Sequence, residues 1–514
     1  MRNSRRLLLA LLSTCLFCSA AAHADVGQEF LATDHWANET IYELYASGAW
    51  GKWPIGTRPW SRGDITKRLT EVIRRDSTEH HLSTADRHLV DRLLYEFSDD
   101  LVHAAPESTM DVRAGLELFG SGSFDESGLP VYRGRVQGFA GAGTGIWWVR
   151  MRGDVDSHGE LDPTFFGEEW KDKFTGTVDI AYFTLRTGGF ELAVGRDFLR
   201  WGSAPYDALL LNDQSPPFNM ARFVYHHRLF DFSFFFTGLD SAFGHPADDS
   251  ADTAPNVKRY LAGHRIEVRP ASGLELGLSE VVVWGGADRQ LEAYYLNPFL
   301  PYYWEQLNAD VDDNPLWSLD VSWRVPRGPM LYGEWLIDDF QIDFESEAHQ
   351  VGWSLGLNWP GVPLIPGSFV TADWTHIEPS VYNQVLPYNR YLNHRVGMGS
   401  VLGPDAERYL LRWRQHLSRS LDVTLQGRLE REGESEIDEP LVTPISRDQF
   451  PSGIVQTTTE TQLGVFFQPS RHLRFDLRAG YRWQENAANV TGVSQDGGFV
   501  SASVSITDWL TGSF

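Results

Sequence analysis

From about Met110 to Phe514, short segments in which apolar and polar residues alternate follow one another, joined by long loops and short turns in strict succession. A period of two puts successive side chains on opposite faces of a strand, so this stretch builds sheet with two unlike faces. Leu421, Val423, Leu425 and Leu429 alternate with Asp422, Thr424, Gln426, Arg428 and Glu430. Leu473, Phe475, Leu477, Ala479, Tyr481 and Trp483 alternate with Arg474, Asp476, Arg478 and Arg482. In a soluble sandwich the apolar faces would meet a second sheet, so alternation alone leaves a sandwich and a membrane barrel open.

The connections decide between them. Eighteen strands can be counted, near 112–119, 131–141, 145–153, 175–186, 189–197, 221–227, 230–238, 259–268, 274–284, 316–325, 330–338, 349–359, 368–377, 408–416, 421–430, 458–468, 472–483 and 498–510. Every second connection is brief and made of turn residues, as in Gly143-Thr144, Thr187-Gly188 and Pro326-Arg327-Gly328-Pro329. The others are mostly long, among them 154–174, 198–220, 285–315 and 378–407. Short periplasmic turns and long external loops mark an outer-membrane barrel, whose spans need about 10 residues each. The predicted fold class is an all-β membrane protein, an 18-stranded antiparallel barrel over residues 110–514.

Both ends agree with export to the outer membrane. Arg2, Arg5 and Arg6 precede the apolar run Leu7–Leu12, and Ala22-His23-Ala24 is a small-residue cleavage site, so residues 1–24 read as a signal peptide. Cys15 and Cys18 both lie inside it, which leaves the remaining chain without a disulfide or thiol. No later apolar stretch reaches the 18 residues of a helical span. At the other end, Val500, Ala502, Val504 and Ile506 lead to a terminal Phe514, an ending similar to the one the barrel-assembly machinery recognises.

The net charge of −25 leaves no basic footprint for nucleic acid. Acidic loops such as Asp154–Asp172 and Asp240–Asp252 read as solvated rather than as cation sites. Arg far outnumbers Lys, and Arg150, Arg152, Arg324, Arg412, Arg414, Arg428, Arg474, Arg478 and Arg482 fall on polar strand faces with Asp179, Asp320, Asp422, Asp476 and Glu430. Arginine pairs with carboxylates through two parallel hydrogen bonds, so these residues are expected to crosslink the lumen. An open charged pore is the alternative. Trp147, Trp148, Tyr182, Trp284, Tyr332, Trp335, Trp359, Trp374, Trp413, Trp483 and Trp509 lie near strand ends, where aromatic girdles meet the bilayer interfaces.

Residues 25–109 follow a different rule. Ser61 and Asp64 open a helix with Ile65, Leu69, Val72 and Ile73 on one face, and Ser83 with Asp86 opens another with Leu89, Leu93, Leu94, Phe97 and Leu101. A third covers roughly 35–46, and Trp53-Pro54-Ile55-Gly56-Thr57-Arg58-Pro59-Trp60 forms a rigid turn between. Their polar faces are not basic enough for a membrane surface, so a small periplasmic α-helical bundle packed on the barrel floor is expected.

Pro54-Ile55-Gly56-Thr57-Arg58-Pro59, Gly195-Arg196-Asp197-Phe198-Leu199-Arg200-Trp201-Gly202 leading into Leu209-Leu210-Leu211-Asn212, Leu296-Asn297-Pro298-Phe299, Gly333-Glu334-Trp335-Leu336-Ile337-Asp338-Asp339-Phe340 and Gly399-Ser400-Val401-Leu402-Gly403-Pro404-Asp405 follow one another along the chain. Together and in this order they resemble the capsule-assembly Wzi family. The resemblance implies an 18-stranded outer-membrane barrel with a periplasmic helical domain and a closed lumen, acting as a monomer. It also implies a surface lectin that retains capsular polysaccharide or a related exopolysaccharide.

Catalysis has little support in the residues. Neither G-x-S-x-G nor H-E-x-x-H occurs. His416 and Ser418 have a lipase-like spacing, but Arg419 follows and the pair sits by a periplasmic turn. Neighbours His226 and His227 point to opposite faces of a strand and cannot easily share an ion, so no metal and no cofactor are assigned. A binding protein is the expected class, with a diffusion porin as the alternative. Sugars are held by aromatic faces and planar polar groups, and the external loops offer Tyr302, Tyr303, Trp304 and Glu305 in one set and Phe166 and Trp170 in another.

Overall fold

In a computed structural model of the chain, the described residues are 28–102, 109–125, 128–162, 164–170, 174–243, 256–326, 328–339, 350–362, 365–439 and 449–513. Residues 1–24, expected from the sequence to be a signal peptide, and Phe514 lie outside them. One antiparallel sheet closes on itself, and apart from two two-residue pieces, Glu169–Trp170 and Ala242–Phe243, it has eighteen strands.

These are β1 Asp111–Phe124, β2 Val131–Gly143, β3 Trp147–Asp156, β4 Phe174–Thr187, β5 Phe190–Asp197 and β6 Phe218–His226. Then come β7 Phe230–Gly238, β8 Asn256–Ala271, β9 Leu274–Gly286, β10 Asn314–Arg324, β11 Met330–Asp339 and β12 Gln350–Pro360. The last six are β13 Ser368–Ile377, β14 Ala406–Ser418, β15 Leu421–Glu432, β16 Gln456–Ser470, β17 Leu473–Glu485 and β18 Ser494–Ser513. Every strand pairs with its sequence neighbour, and β1 closes on β18 from Asp111↔Ser513 to Phe124↔Val500, so no spanning edge is left unpaired. The outer face bears exposed Leu116, Leu118, Val149, Met151, Leu425, Leu463 and Leu477, while Asp320, Arg412, Asp422 and Glu460 face inward. Among the described residues no helix is long and apolar enough to cross a membrane.

Among the described residues four helices precede the barrel: α1 Ala37–Ser47, α2 Arg62–Glu79, α3 Thr84–Glu96 and α4 Ser98–Val102. Ser61 accepts the Asp64 N–H at the start of α2, and Ser83 and Asp86 form a reciprocal capping box on α3. Leu44, Trp50, Trp53, Trp60, Ile65, Leu69, Leu89, Leu93 and Phe97 share one core with Met330 and Phe369 of the barrel.

This segment goes further than a floor. Helix α1 enters the lumen, where the Tyr45 hydroxyl meets Ser322 at 3.2 Å and Asn358 donates to the Tyr42 hydroxyl at 3.1 Å. The turn after it is also inside, with the Ile55 N–H donating to Glu275 at 2.9 Å. From the other end, the loop 198–217 folds back into the barrel. Thr57–Arg58 and Arg200–Trp201 pair as a two-stranded antiparallel sheet in mid-lumen, and Gly202 N–H donates to the Gly56 carbonyl at 2.9 Å. Gly202 has φ +148, and a side chain there would collide with Glu334 and Ala208, so only glycine fits the crossing.

The girdle expectation is corrected in part. Trp335, Trp359 and Trp483 are exposed outside, whereas Trp148, Tyr182 and Tyr332 are buried inside. Tyr182 accepts the Phe30 N–H and Tyr332 donates to Asp373. The lumen needs aromatic filling where the N-terminal chain and the infolded loop pack, and period-two reading does not say which face is which.

Candidate functional site

The infolded loop 198–217 is held by both chemistry and apolar burial. The Ala204 and Leu209 N–H groups donate to the two oxygens of Glu334 on β11, at 2.6 and 2.9 Å. The loop 378–405 covers it, since the Tyr382 hydroxyl donates to Leu209 O at 2.6 Å and the Tyr391 hydroxyl to Leu210 O at 2.8 Å. Leu199, Trp201, Leu209, Leu210 and Leu211 are buried with Phe235, Val281 and Leu316. The β5–β13 side of the lumen is thereby filled.

The opposite side is not. A cavity of about 790 Å³ lies inside β14–β18 and β1, with Trp36, Glu39, Thr40 and Arg92 of the N-terminal segment in its lining. A second cavity of about 400 Å³ lies inside β2–β4 and the infolded loop, edged by Phe165 and Phe166 of the external loop. Asp34 of the N-terminal segment lines both, and the two cavities flanking this segment together form a vestibule beside it.

Its walls carry planar charged groups. Arg414 reaches Glu39 at 2.6 Å and Glu43 at 2.8 Å, and Arg412 reaches Glu39 at 2.9 Å. Arg428 and Arg482 share Glu460, at 3.1 and 2.9 Å. Arg133 pairs with Asp156 at 2.8 Å, and Arg152 joins Asp34 at 3.0 Å to Asp179 at 2.6 Å. Enclosure within the barrel opposes the charge on Asp34, although 57% of its side chain is exposed to the vestibule, and the Arg152 guanidinium outweighs it and holds the carboxyl at about 2. Burial likewise opposes the charge on Glu39, and Arg414 with Arg412 brings it to about 2. The N-terminal segment is thus tied to the wall by charge pairs as well as by its apolar core.

Arg428, Arg474 and Arg478 do not close the lumen, contrary to the expectation from their pattern. They line the larger cavity, where Arg474 contacts Asp476 at 3.3 Å and Arg478 is exposed. The N-terminal segment and the infolded loop fill the barrel instead. The second element had a signal in the sequence: Trp201 and Leu209-Leu210-Leu211 are too apolar for a solvated loop.

The six residues proposed from sequence fall in two places. Phe166 stands at the rim of the smaller cavity, with the Arg196 guanidinium 5.0 Å over its ring and His394 5.2 Å away. Trp170 is exposed nearby on the Glu169–Trp170 piece, which pairs with the start of β4. Tyr302, Tyr303, Trp304 and Glu305 lie instead on a short helix, α5 Tyr302–Ala309, outside the barrel wall. Tyr302 is fully buried there beside His264, Ala262 and Val282. His416 is held between Glu43 at 2.8 Å and Asp422 at 2.9 Å, and Ser418 Oγ lies near Ser420, so the two do not form a dyad. Among the described residues no group of three His, Cys, Asp or Glu is placed to hold a metal ion.

A family profile described as capsule assembly protein Wzi matches residues 84–496. Among solved structures, the chain is similar to Wzi, an outer membrane protein involved in group 1 capsule assembly in Escherichia coli and a carbohydrate-binding β-barrel. That similarity has a TM-score of 0.63 and 15% identity, covering 93% of this chain and 99% of the other. Pseudomonas aeruginosa OccD3 (OpdP) aligns with a TM-score of 0.48 and 10% identity over 78% of this chain and 91% of that one. The outer membrane protein OprD from Pseudomonas aeruginosa gives 0.45 and 12% over 78% and 94%. No curated protein matches in sequence.

Proposed function

The chain belongs to the capsule assembly protein Wzi family and is an outer-membrane β-barrel, and from that premise we propose that it binds and anchors capsular or related exopolysaccharide at the cell surface. The observation that carries this reading is a lumen filled from below by the N-terminal segment yet hollow on its long-loop side. The vestibule can hold a polymer segment, while the N-terminal segment and the infolded loop occupy much of the path a solute would need, which favours an anchor over the porin alternative.

Guanidinium and carboxylate groups around the vestibule suit the hydroxyls and acidic groups of a polysaccharide, and the Phe166 and Trp170 faces suit its C–H surfaces. Phe166, at the vestibule's rim, and Trp170, exposed beside the start of β4, remain the proposed contacts from the sequence reading. No catalytic step is assigned. Residues 25–109, after removal of 1–24, serve as a unit whose helices α2 and α3 stand on the periplasmic side while α1 and the following turn plug the lumen, Phe514 addresses the barrel-assembly machinery, and the barrel works as a monomer in outer-membrane lipid.

The test separates polymer made from polymer kept. Cell-bound and released polysaccharide would be measured in wild type, in a knockout and in Phe166→Ala/Trp170→Ala. The knockout should release its coat without losing synthesis, and the double variant should do the same at normal surface levels. A knockout with a full coat would sink the anchoring reading.

A further inference from the structure

The loop 287–313 between β9 and β10 does not stand up into the medium. It folds down the outside of the barrel as a strap over β7, β8 and β9. On those strands the lumen-facing side chains include Arg265, Glu275 and Ser279, so His264, Glu280, Val282 and Trp284 point outward. The strap covers them. Tyr295 and Tyr302 are fully buried against Ala262, Val282 and Trp284.

Polar contacts pin it in place. Glu280 accepts the Tyr303 N–H at 2.9 Å and the Trp317 indole N–H at 2.8 Å, and pairs with His264 at 3.1 Å. Trp284 donates to Gln290 O at 3.0 Å. Arg289 and the Tyr295 hydroxyl both bind Asp313, at 2.9 and 2.6 Å, which closes the strap at its base.

What the strap shows to its surroundings is apolar. Phe299 is 81% exposed, Leu307 65% and Trp304 60%, and Tyr303 is exposed beside them. On α5, Tyr303, Leu307 and Trp304 fall within an arc of about 100°, with Asn308 and Glu305 next to it and Tyr302 against the wall. That is the pattern of a helix lying in a bilayer interface.

The strap also meets the barrel's lipid-facing row directly. Phe232, Ile266, Leu278 and Leu319 are cross-strand partners on the outer face. The Phe299 ring stacks on Phe232, with centroids 5.5 Å apart. The strap's apolar surface is therefore continuous with the surface the barrel presents to acyl chains. We propose that this strap is a second membrane contact of the protein, seated in the outer leaflet at the boundary of headgroups and acyl chains, with Phe299, Trp304 and Leu307 in lipid. Its occupant is lipid, not polysaccharide, and the inference is independent of the vestibule reading.

The chain after residue 24 has no cysteine, so a single introduced one is unique. Nitroxide labels would be placed at Phe299→Cys, Trp304→Cys and Leu307→Cys in the full barrel reconstituted in lipid vesicles. Leu278→Cys on the bare wall and Val401→Cys on an external loop are the references. Collision rates with oxygen, which partitions into lipid, and with a water-soluble nickel complex are then compared. The strap labels should group with Leu278, oxygen collisions exceeding nickel collisions several-fold. Grouping with Val401 would overturn the proposal and return the strap to the medium, where sugar contact becomes its reading. Dipolar broadening between labels of two molecules would also overturn it, because a second copy would then be the occupant.

Discussion

Removing Arg92 should loosen the floor of the vestibule without unfolding the barrel. Arg92 on α3 is buried and holds both oxygens of Asp422 at 2.7 and 2.9 Å, and its Nε donates to Arg419 O at 2.7 Å. In Arg92→Ala the Asp422 carboxylate loses its cation inside the barrel, a change worth about 3–5 kcal/mol when nothing else compensates. Here His416 remains on Asp422 at 2.9 Å, so the lower end, about 3 kcal/mol, is the expected cost. That corresponds to on the order of 100-fold more time undocked. Leu89, Leu93 and Phe97 stay buried, each worth roughly 1.5–3 kcal/mol, so α3 should remain folded and mostly seated. Hydrogen exchange of α3 amides should therefore rise on the order of 100-fold while β14 and β15 keep their protection. Planar-bilayer recordings, silent for wild type, should show brief openings. The double variant Arg92→Met/Asp422→Asn removes both charges and should fall back toward wild type, since His416 keeps Glu43 at 2.8 Å. Unchanged α3 exchange in Arg92→Ala, or a double variant worse than either single, would refute the charge-pair account.

Acid should release the N-terminal segment. Asp34 and Glu39 are both held at about 2, below their ordinary 3.8 and 4.5, so their contribution is complete above about 4.5 and is lost as pH falls through about 2. Pepsin at about pH 3 should already cut residues 28–60 faster than pH dependence of the protease alone explains, and equal resistance would count against it. Glu334→Ala strands the Ala204 and Leu209 N–H groups at about 1–3 kcal/mol each. Limited proteolysis should then appear within residues 203–217, with the barrel intact, and an uncut loop would show that apolar burial alone holds it. Phe514→Asp places a charge at the end of the strand that closes on β1, and surface levels should fall while periplasmic fragments rise; normal levels would contradict the proposed role of Phe514.

Period two and turn length carried the barrel because lipid imposes both. Each spanning residue must choose acyl chain or lumen, so β15 and β17 alternate cleanly, and turns such as Thr187-Gly188 are short because they only reverse the chain. The caps on α2 and α3 were readable for an equally local reason, a side chain bonding a backbone N–H three residues on. Closure of the lumen was not local. It depends on Thr57–Arg58 meeting Arg200–Trp201 across the barrel, a pairing between segments far apart in the chain that no periodicity records. The Arg and acid residues suggested closure, but Arg478 and Arg428 line a hollow, because a wall charge cannot say whether a partner chain fills the space in front of it.

The candidate site shows the same limit and also a signal that periodicity does contain. In the sequence Tyr302, Tyr303 and Trp304 read as loop aromatics, and composition cannot tell a loop that stands in water from one that lies on a wall. The wall itself holds the information. His264 and Glu280 pair with each other at outward positions on β8 and β9, directly opposite in the register, where acyl chains would surround the pair with nothing polar for its remaining atoms. Two ionisable groups on a lipid face demand a cover, and the loop following β9 is long enough to supply it. A break in the alternation is thus as informative as the alternation, since it marks where the barrel's outer surface is met by its own chain before it is met by lipid.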